Sequence, residues 1–326
     1  MSVFDTPILL LIFNRPESTR LVFDTIQQLK PKRLFVAADG PRNNVEGDRL
    51  ECEEARKIIT DGINWDCDLK LLFRENNVGC GTAVSTALDW FFNDVEEGII
   101  LEDDTLPDAS FFPYCKQLLD VHRNDERVWS ISGYNFGADI LLKKEPYVFA
   151  RFMNMWGWAT WRRNYLKVDY GLRKWKQAEN KKLYTSLMIQ DTITDLDITW
   201  FNFWNTKFSS VANSELDTWD YQWIFAQLLS GQLTIYPSVN MVENIGFNYK
   251  GTHTTDSESR MSKVVKGRFD LFPILEYPAR INYAFQEKYL KEIWCNISYT
   301  EPEYIKVLKF KLRQLKYYLK HGSSKM

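Results

Sequence analysis

Short, wholly apolar runs alternate with longer amphipathic stretches through the first hundred positions. Residues 8–13 (ILLLIF) carry no polar side chain and predict a buried strand. Asn14-Arg15-Pro16-Glu17-Ser18 is a turn with helix-start chemistry, and residues 19–29 predict a helix. Residues 33–38 predict the second strand, which closes on the turn Asp39-Gly40-Pro41. Residues 48–61 predict a helix with Ala55, Ile58 and Ile59 on its apolar face, and residues 69–73 a third strand. Residues 82–93 predict another helix, with Ala83, Ala87, Leu88 and Phe91 on one side. A fourth apolar strand follows and ends abruptly in Glu102-Asp103-Asp104. This rhythm predicts an α/β fold: a Rossmann-like, mostly parallel central sheet flanked by helices.

In such a sheet, ligands bind beyond the carboxyl ends of the strands. Arg15, Asp39, Arg74 and the acids Glu102 to Asp104 all fall at such ends. Neighbouring carboxylates repel unless a cation sits among them, and Mg²⁺ or Mn²⁺ typically takes one or two carboxylates plus substrate phosphates. A competing reading makes the acids part of a solvated loop. In that reading Asp104 or Asp108 caps a helix that opens near Ala109-Ser110-Phe111-Phe112.

The middle of the chain is less regular and rich in tryptophan, from Trp156, Trp158 and Trp161 to Trp219 and Trp223. Residues 172–208 show no strand rhythm and predict helix, residues 233–237 predict a late strand, and residues 250–255 a polar loop. The last stretch, from Glu301, has seven Lys/Arg against two Glu, with Ile305, Leu308, Leu312, Leu315 and Leu319 at helical spacing. Two roles stay open for this predicted helix over residues 304–320: lying on an anionic membrane or docking its leucines on the catalytic domain.

The 326 residues are 45% hydrophobic and 15% aromatic, enough for a large core. A net charge of −2 argues against a nucleic-acid binder. No secretory signal is visible, and the longest apolar run near the start is too short to span a bilayer. Five cysteines without CxxC spacing read as reduced thiols of a cytosolic protein. Three scattered histidines do not suggest a His-rich zinc site.

Three blocks resemble the GT-A glycosyltransferases, and among them the branch of N-acetylglucosaminyltransferase I: residues 8–16 (ILLLIFNRP), residues 99–112 (IILEDDTLPDASFF), and SELDTWDYQW at 214–223 with IGFNYKGTH at 245–253. The resemblance spans roughly residues 7 to 255. It implies a GT-A fold with a nucleotide-sugar half (residues 1–108), an acceptor half (109–262) and a C-terminal helical extension (263–326). It further implies a hexosyl- or N-acetylhexosaminyltransferase of polysaccharide biosynthesis, using a UDP-sugar donor, Mn²⁺ or Mg²⁺, and a saccharide or lipid-linked saccharide acceptor. Asp104 would bind the metal, with His253 as a second candidate. Asp103 would reach the metal through water or meet the ribose, and Glu102 would hold sugar hydroxyls. Asp39 would accept from the uracil imide, Arg15 would meet the base or a phosphate, and Trp219 would stack on a sugar. Arg74 opens an Arg-Asn-x-Gly-like turn whose glycines let backbone approach the diphosphate near a helix N-terminus. Lys250 would cover the diphosphate as its loop closes.

Asp220 is the expected general base of an inverting transfer, with Asp217, three residues earlier, as rival on a shared helical face. The family's membrane anchor is not seen in these residues, which suggests a cytoplasmic, bacterial-type relative at most peripheral on the inner face of the plasma membrane. Two other readings compete. A sugar-nucleotide pyrophosphorylase would need a Gly-rich loop after the first strand, where this chain has Asn14-Arg15-Pro16-Glu17. A non-catalytic nucleotide-sugar binder would not need both the acidic trio and Asp220.

Overall fold

The computed structural model of the protein describes residues 4–136, 145–177, 197–247 and 264–289. Strand β1 (Ile8–Ile12), helix α1 (Pro16–Leu29), β2 (Arg33–Ala38), α2 (Asp48–Gly62), β3 (Asp68–Phe73), α3 (Cys80–Asp94) and β4 (Glu97–Glu102) follow in the expected order. A short β5 (Thr105–Pro107) then leads to α4 (Phe111–Val121) and β6 (Val128–Ser132). Beyond them come β7 (Tyr147–Ala150), β8 (Trp158–Trp161), α5 (Asp197–Ala212), α6 (Asp220–Ser230), β9 (Leu233–Pro237), β10 (Val242–Asn244) and α7 (Tyr283–Tyr289).

Eight strands form one sheet in the order β3-β2-β1-β4-β8-β6-β9-β7. The first four are mutually parallel, with Leu11 beside Glu102 and Ala38 beside Phe73. Strand β8 runs antiparallel to both β4 and β6, β9 runs parallel to β6, and β7 runs antiparallel to β9. The sheet is therefore mixed but mostly parallel, and the sheet itself crosses the expected boundary at residue 108.

Strand pleating sorts the apolar runs onto two faces. Ile8, Leu10 and Ile12 meet Val22, Phe23 and Ile26 of α1 and Ile58 and Ile59 of α2. Leu9, Leu11 and Phe35 meet Ala87, Leu88 and Phe91 of α3, together with Trp158, Trp204, Trp219 and Trp223. Burial on both faces explains why these strands read as unbroken apolar runs. It also explains why Trp158-Ala159-Thr160-Trp161, with no polar alternation, gave no strand signal although it stands at the centre of the sheet.

A second, two-stranded sheet pairs β5 with β10, placing Asn244 opposite Thr105. It carries the turn Ile245–Phe247 up to the acidic trio, where the Ile245 N–H donates to the Asp104 carbonyl at 2.8 Å. The expected helix over 172–208 is in part a single turn, Arg173–Lys176, and in part the start of α5; the expected C-terminal helix over 304–320 lies outside the described residues. Among the described residues, no helix is long and apolar enough to cross a membrane.

Candidate functional site

The carboxyl ends of β1, β2, β3 and β4 open into a cavity of about 650 Å³. Arg15, Asp39, Arg74, Glu102, Asp103, Asp104, Trp219 and Asp220 all line it. Lys250 and His253 lie outside the described residues.

The acids end β4 in a tight turn. The Glu102 N–H donates to the Thr105 hydroxyl at 2.9 Å, and that hydroxyl donates to the Glu102 carbonyl at 3.0 Å. The turn sends the side chains in different directions. Asp103 Oδ2 accepts the Phe13 N–H at 3.0 Å, while its Oδ1 pairs with Arg15 Nη2 at 2.6 Å. Asp104 Oδ2 accepts from Arg15 Nη1 at 2.6 Å. The cation among the trio is therefore first of all the guanidinium of Arg15, the residue that precedes α1. Its fork is spent on carboxylates rather than presented to a base. Burial works against the charge on Arg15, but Asp103 and Asp104 outweigh it and hold the guanidinium protonated beyond its ordinary range. Burial pushes the Asp103 carboxyl up to about 6, with Arg15 pulling the other way. Burial and the Asp104 charge push Glu102 well above the usual carboxylate range.

The trio does not form a three-carboxylate cage, since among the described residues its oxygens do not converge as a common ligand set. It fits a single-carboxylate site instead. Asp104 Oδ1 carries no hydrogen bond among the described residues, and Oδ2 lies under Gly246, where a Cβ would stand only 2.5 Å away. Asp104 can thus hold a hard divalent cation whose other ligands are phosphate oxygens and water.

Asp39 is buried at the mouth of β2 and already engaged. Its Oδ1 accepts the N–H groups of Gly40 at 2.8 Å and Val78 at 3.1 Å, and its Oδ2 accepts from Asn77 Nδ2 at 2.9 Å. Burial raises its carboxyl above the usual range even so. These bonds clamp the loop after β3 onto the loop after β2, where a Cβ at Gly40 would meet the Asn76 backbone at 2.3 Å. Arg74 donates to the Thr86 hydroxyl at 2.6 Å and to the Ala83 carbonyl at 3.2 Å, so it braces the start of α3.

The N-terminus of α3, where glycines were expected to admit a diphosphate, receives a carboxylate of this chain. The Gly81 N–H donates to Asp217 Oδ1 at 2.9 Å. The expectation that Asp217 shares a helical face with Asp220 fails: α6 begins at Asp220, and Asp217 lies in the preceding loop, drawn to the positive end of another helix. Asp220 opens α6 and accepts from the Thr218 hydroxyl and from the Tyr221 N–H at 2.9 Å. Trp219 is only 4% exposed and stacks on Trp158 with centroids 6.1 Å apart, so most of its ring is core.

Several cavity residues had no sequence signal that singled them out. Lys207 of α5 and Arg42 add positive charge to the wall. Arg42 is oriented by Asp48, which accepts its Nη2 at 2.7 Å and its Nε at 3.1 Å. Cys80 also lines the cavity, but burial and the charges of Glu102, Asp217 and Asp220 push its thiol up to about 12, which leaves it an unreactive thiol.

The sheet order and the cavity at its carboxyl edge are consistent with a Rossmann-like glycosyltransferase fold. No family model matches the chain, and no curated protein matches it. Mouse xyloside xylosyltransferase 1, in its apo form, is a structural match at 11% identity and a TM-score of 0.36, covering 82% of this chain and 96% of that one. HddC from Yersinia pseudotuberculosis matches at 8% identity and a TM-score of 0.29, covering 49% of this chain and 78% of that one. Likeness at that level carries no argument about activity, and neither match places the chain in the N-acetylglucosaminyltransferase I branch.

Proposed function

We propose that this chain is a metal-dependent, inverting glycosyltransferase that moves a sugar from a UDP-sugar to a hydroxyl of a saccharide or lipid-linked saccharide. The observation that carries the reading is one cavity that joins the acids after β4 with Asp220, a carboxylate more than a hundred residues later in the chain.

In this reading the nucleoside enters over the ends of β1 to β3, walled by the Asp39–Asn77 clamp. Asp104 holds the divalent cation together with the donor diphosphate. When bound, the cation neutralises charge on the departing diphosphate. Arg15 keeps Asp103 and Asp104 fixed, and Glu102, its neutral form favoured by burial, is suited to hydrogen-bond a sugar hydroxyl. Asp220 takes the proton from the acceptor hydroxyl as that oxygen bonds the anomeric carbon and the bond to the diphosphate oxygen breaks on the opposite face. Its place at the start of α6 fixes the carboxylate at the cavity wall. Lys207 and Arg42 add positive charge to the cavity wall against the diphosphate.

Transfer from UDP-sugars, assayed with Mn²⁺ and with excess chelator, tests the reading. The Asp104→Ala variant should stay folded and lose transfer. Near-full activity in that variant, or in chelator, would contradict the proposal.

A further inference from the structure

The end of α4 carries a cluster that the cavity does not use. His122 follows α4 directly and is fully buried. Its Nε2 lies 3.2 Å from the Tyr147 hydroxyl oxygen. That hydroxyl donates to the Leu275 carbonyl at 3.0 Å and accepts the Tyr277 N–H at 2.8 Å. A phenol has one proton to give. With that proton on Leu275, the hydroxyl accepts from His122, so the imidazole proton sits on Nε2 and Nδ1 keeps its lone pair. Nδ1 has no hydrogen-bond partner.

What Nδ1 faces is negative. Asp125 Oδ2 is 3.8 Å away, and ligand atoms of His122, Asp125 and Glu276 all lie within 4.8 Å of one another. Asp125 takes the Arg127 fork, Nε to Oδ1 and Nη2 to Oδ2, each at 2.8 Å, and the Arg127 N–H at 3.0 Å. A carboxylate offers about four lone-pair sites, so Oδ2 retains one towards His122. The carbonyl end of α4 adds negative potential at the same place.

We propose that His122 Nδ1, Asp125 and Glu276 bind a divalent transition cation of the Zn²⁺ class, at a structural site separate from the cavity. Imidazole with carboxylates suits Zn²⁺ better than Mg²⁺ or Ca²⁺, which prefer oxygen alone. Ligands about 2.1 Å from a tetrahedral Zn²⁺ stand about 3.4 Å apart, so the His122–Asp125 pair needs little movement. Glu276 is exposed, and water completes the tetrahedron. Topology separates this site from the acidic trio. Strands β4 and β6 both run antiparallel to β8, so they point the same way; the trio follows the end of β4 and Asp125 precedes the start of β6. The cation joins the end of α4 to the segment that carries Glu276, which also crosses Tyr147 and meets Phe149 at Ile281. It acts as a staple for residues 264–289.

The full chain, stripped with chelator and titrated calorimetrically with Zn²⁺, tests this against Glu276→Gln. That variant alters an exposed side chain, whereas changing buried His122 risks the fold. The wild type should bind one Zn²⁺ equivalent that the variant loses or binds at least tenfold more weakly. X-ray absorption of that equivalent should show one nitrogen ligand of imidazole type. Zn²⁺ should slow tryptic cleavage at Arg268 and Arg280 in the wild type only. Equal stoichiometry and affinity in both proteins, or Zn²⁺ located only at the acidic trio by anomalous diffraction, would overturn the proposal.

Discussion

At the scale of single residues, the cavity depends on side chains whose positions are set by their neighbours. Asp220 is the clearest case. Its Oδ1 receives the Thr218 hydroxyl and the Tyr221 N–H, which an asparagine oxygen also accepts. Asp220→Asn should therefore leave α6 and donor affinity nearly unchanged while turnover falls on the order of 10²–10⁴-fold, read from kcat and from donor titration. If Asp217→Asn is the inactive variant instead, the base is misassigned. Asp48 is a positioning residue of a different kind. Buried, it accepts from Asn14 Nδ2 at 2.6 Å and from the Arg42 N–H at 2.6 Å, and it aims the Arg42 side chain. The Arg42 hydrogen bonds hold its carboxyl below 3.8. A lowered carboxyl stabilises the fold above its unfolded value and loses that contribution as pH falls through the folded one. Asp48→Asn should cost about 1–3 kcal/mol at pH 7. In urea titrations that difference should shrink as pH falls below the ordinary carboxylate range; a difference constant with pH would refute the assignment.

At the scale of elements, the junction between α3 and the loop before α6 decides where Asp220 sits. The Gly81 N–H holds Asp217, and a Cβ at Gly81 would stand 2.6 Å from Asp217 Oδ1 and 2.9 Å from the Thr218 carbonyl oxygen. Gly81→Ala should push this loop outward, costing about 1–3 kcal/mol in denaturant titration and lowering turnover through the displaced Asp220. Adding Asp217→Ala removes one of the two clashes, so the double variant should recover part of the stability relative to additivity. Strict additivity would show that the two residues do not share this junction. Gly246 has a comparable task on the far side of the trio, leaving the room that Asp104 Oδ2 occupies.

At the scale of the whole molecule, one hydroxyl at the sheet's outer edge ties several segments to residues 264–289, which also bond Ser110, Gln117 and Phe149. Tyr147 is buried and connects His122, Leu275 and Tyr277. Tyr147→Phe leaves three polar groups without that partner and should destabilise the fold by about 2 kcal/mol. Tryptic cleavage after Arg268 and Arg280 should rise, while donor binding at the carboxyl ends of β1 to β4 stays the same. Loss of donor binding with unchanged stability would mean that the two places are coupled in a way these contacts do not describe.

The sequence by itself determined the first half of the sheet and the acidic edge of the site. Strands buried on both faces and helices with one apolar side have local signatures, because burial periodicity follows from backbone geometry alone. Residues 33–38 and 233–237 were legible to the residue for that reason. Chemistry at strand ends was legible too, since Arg15, Asp39, Arg74 and the trio reach one cavity through the topology of a parallel sheet. What the side chains there are bonded to was not legible. Arg15 spends its fork on Asp103 and Asp104, Asp39 clamps a neighbouring loop, and Asp217 caps α3, each through partners 38 to 136 positions away that only the folded chain brings within reach. The same holds for Lys207 in the cavity wall and for Glu276 beside His122. Hydrogen bonds and ion pairs form between whatever groups packing brings within about 3 Å, and sequence spacing carries no record of that distance.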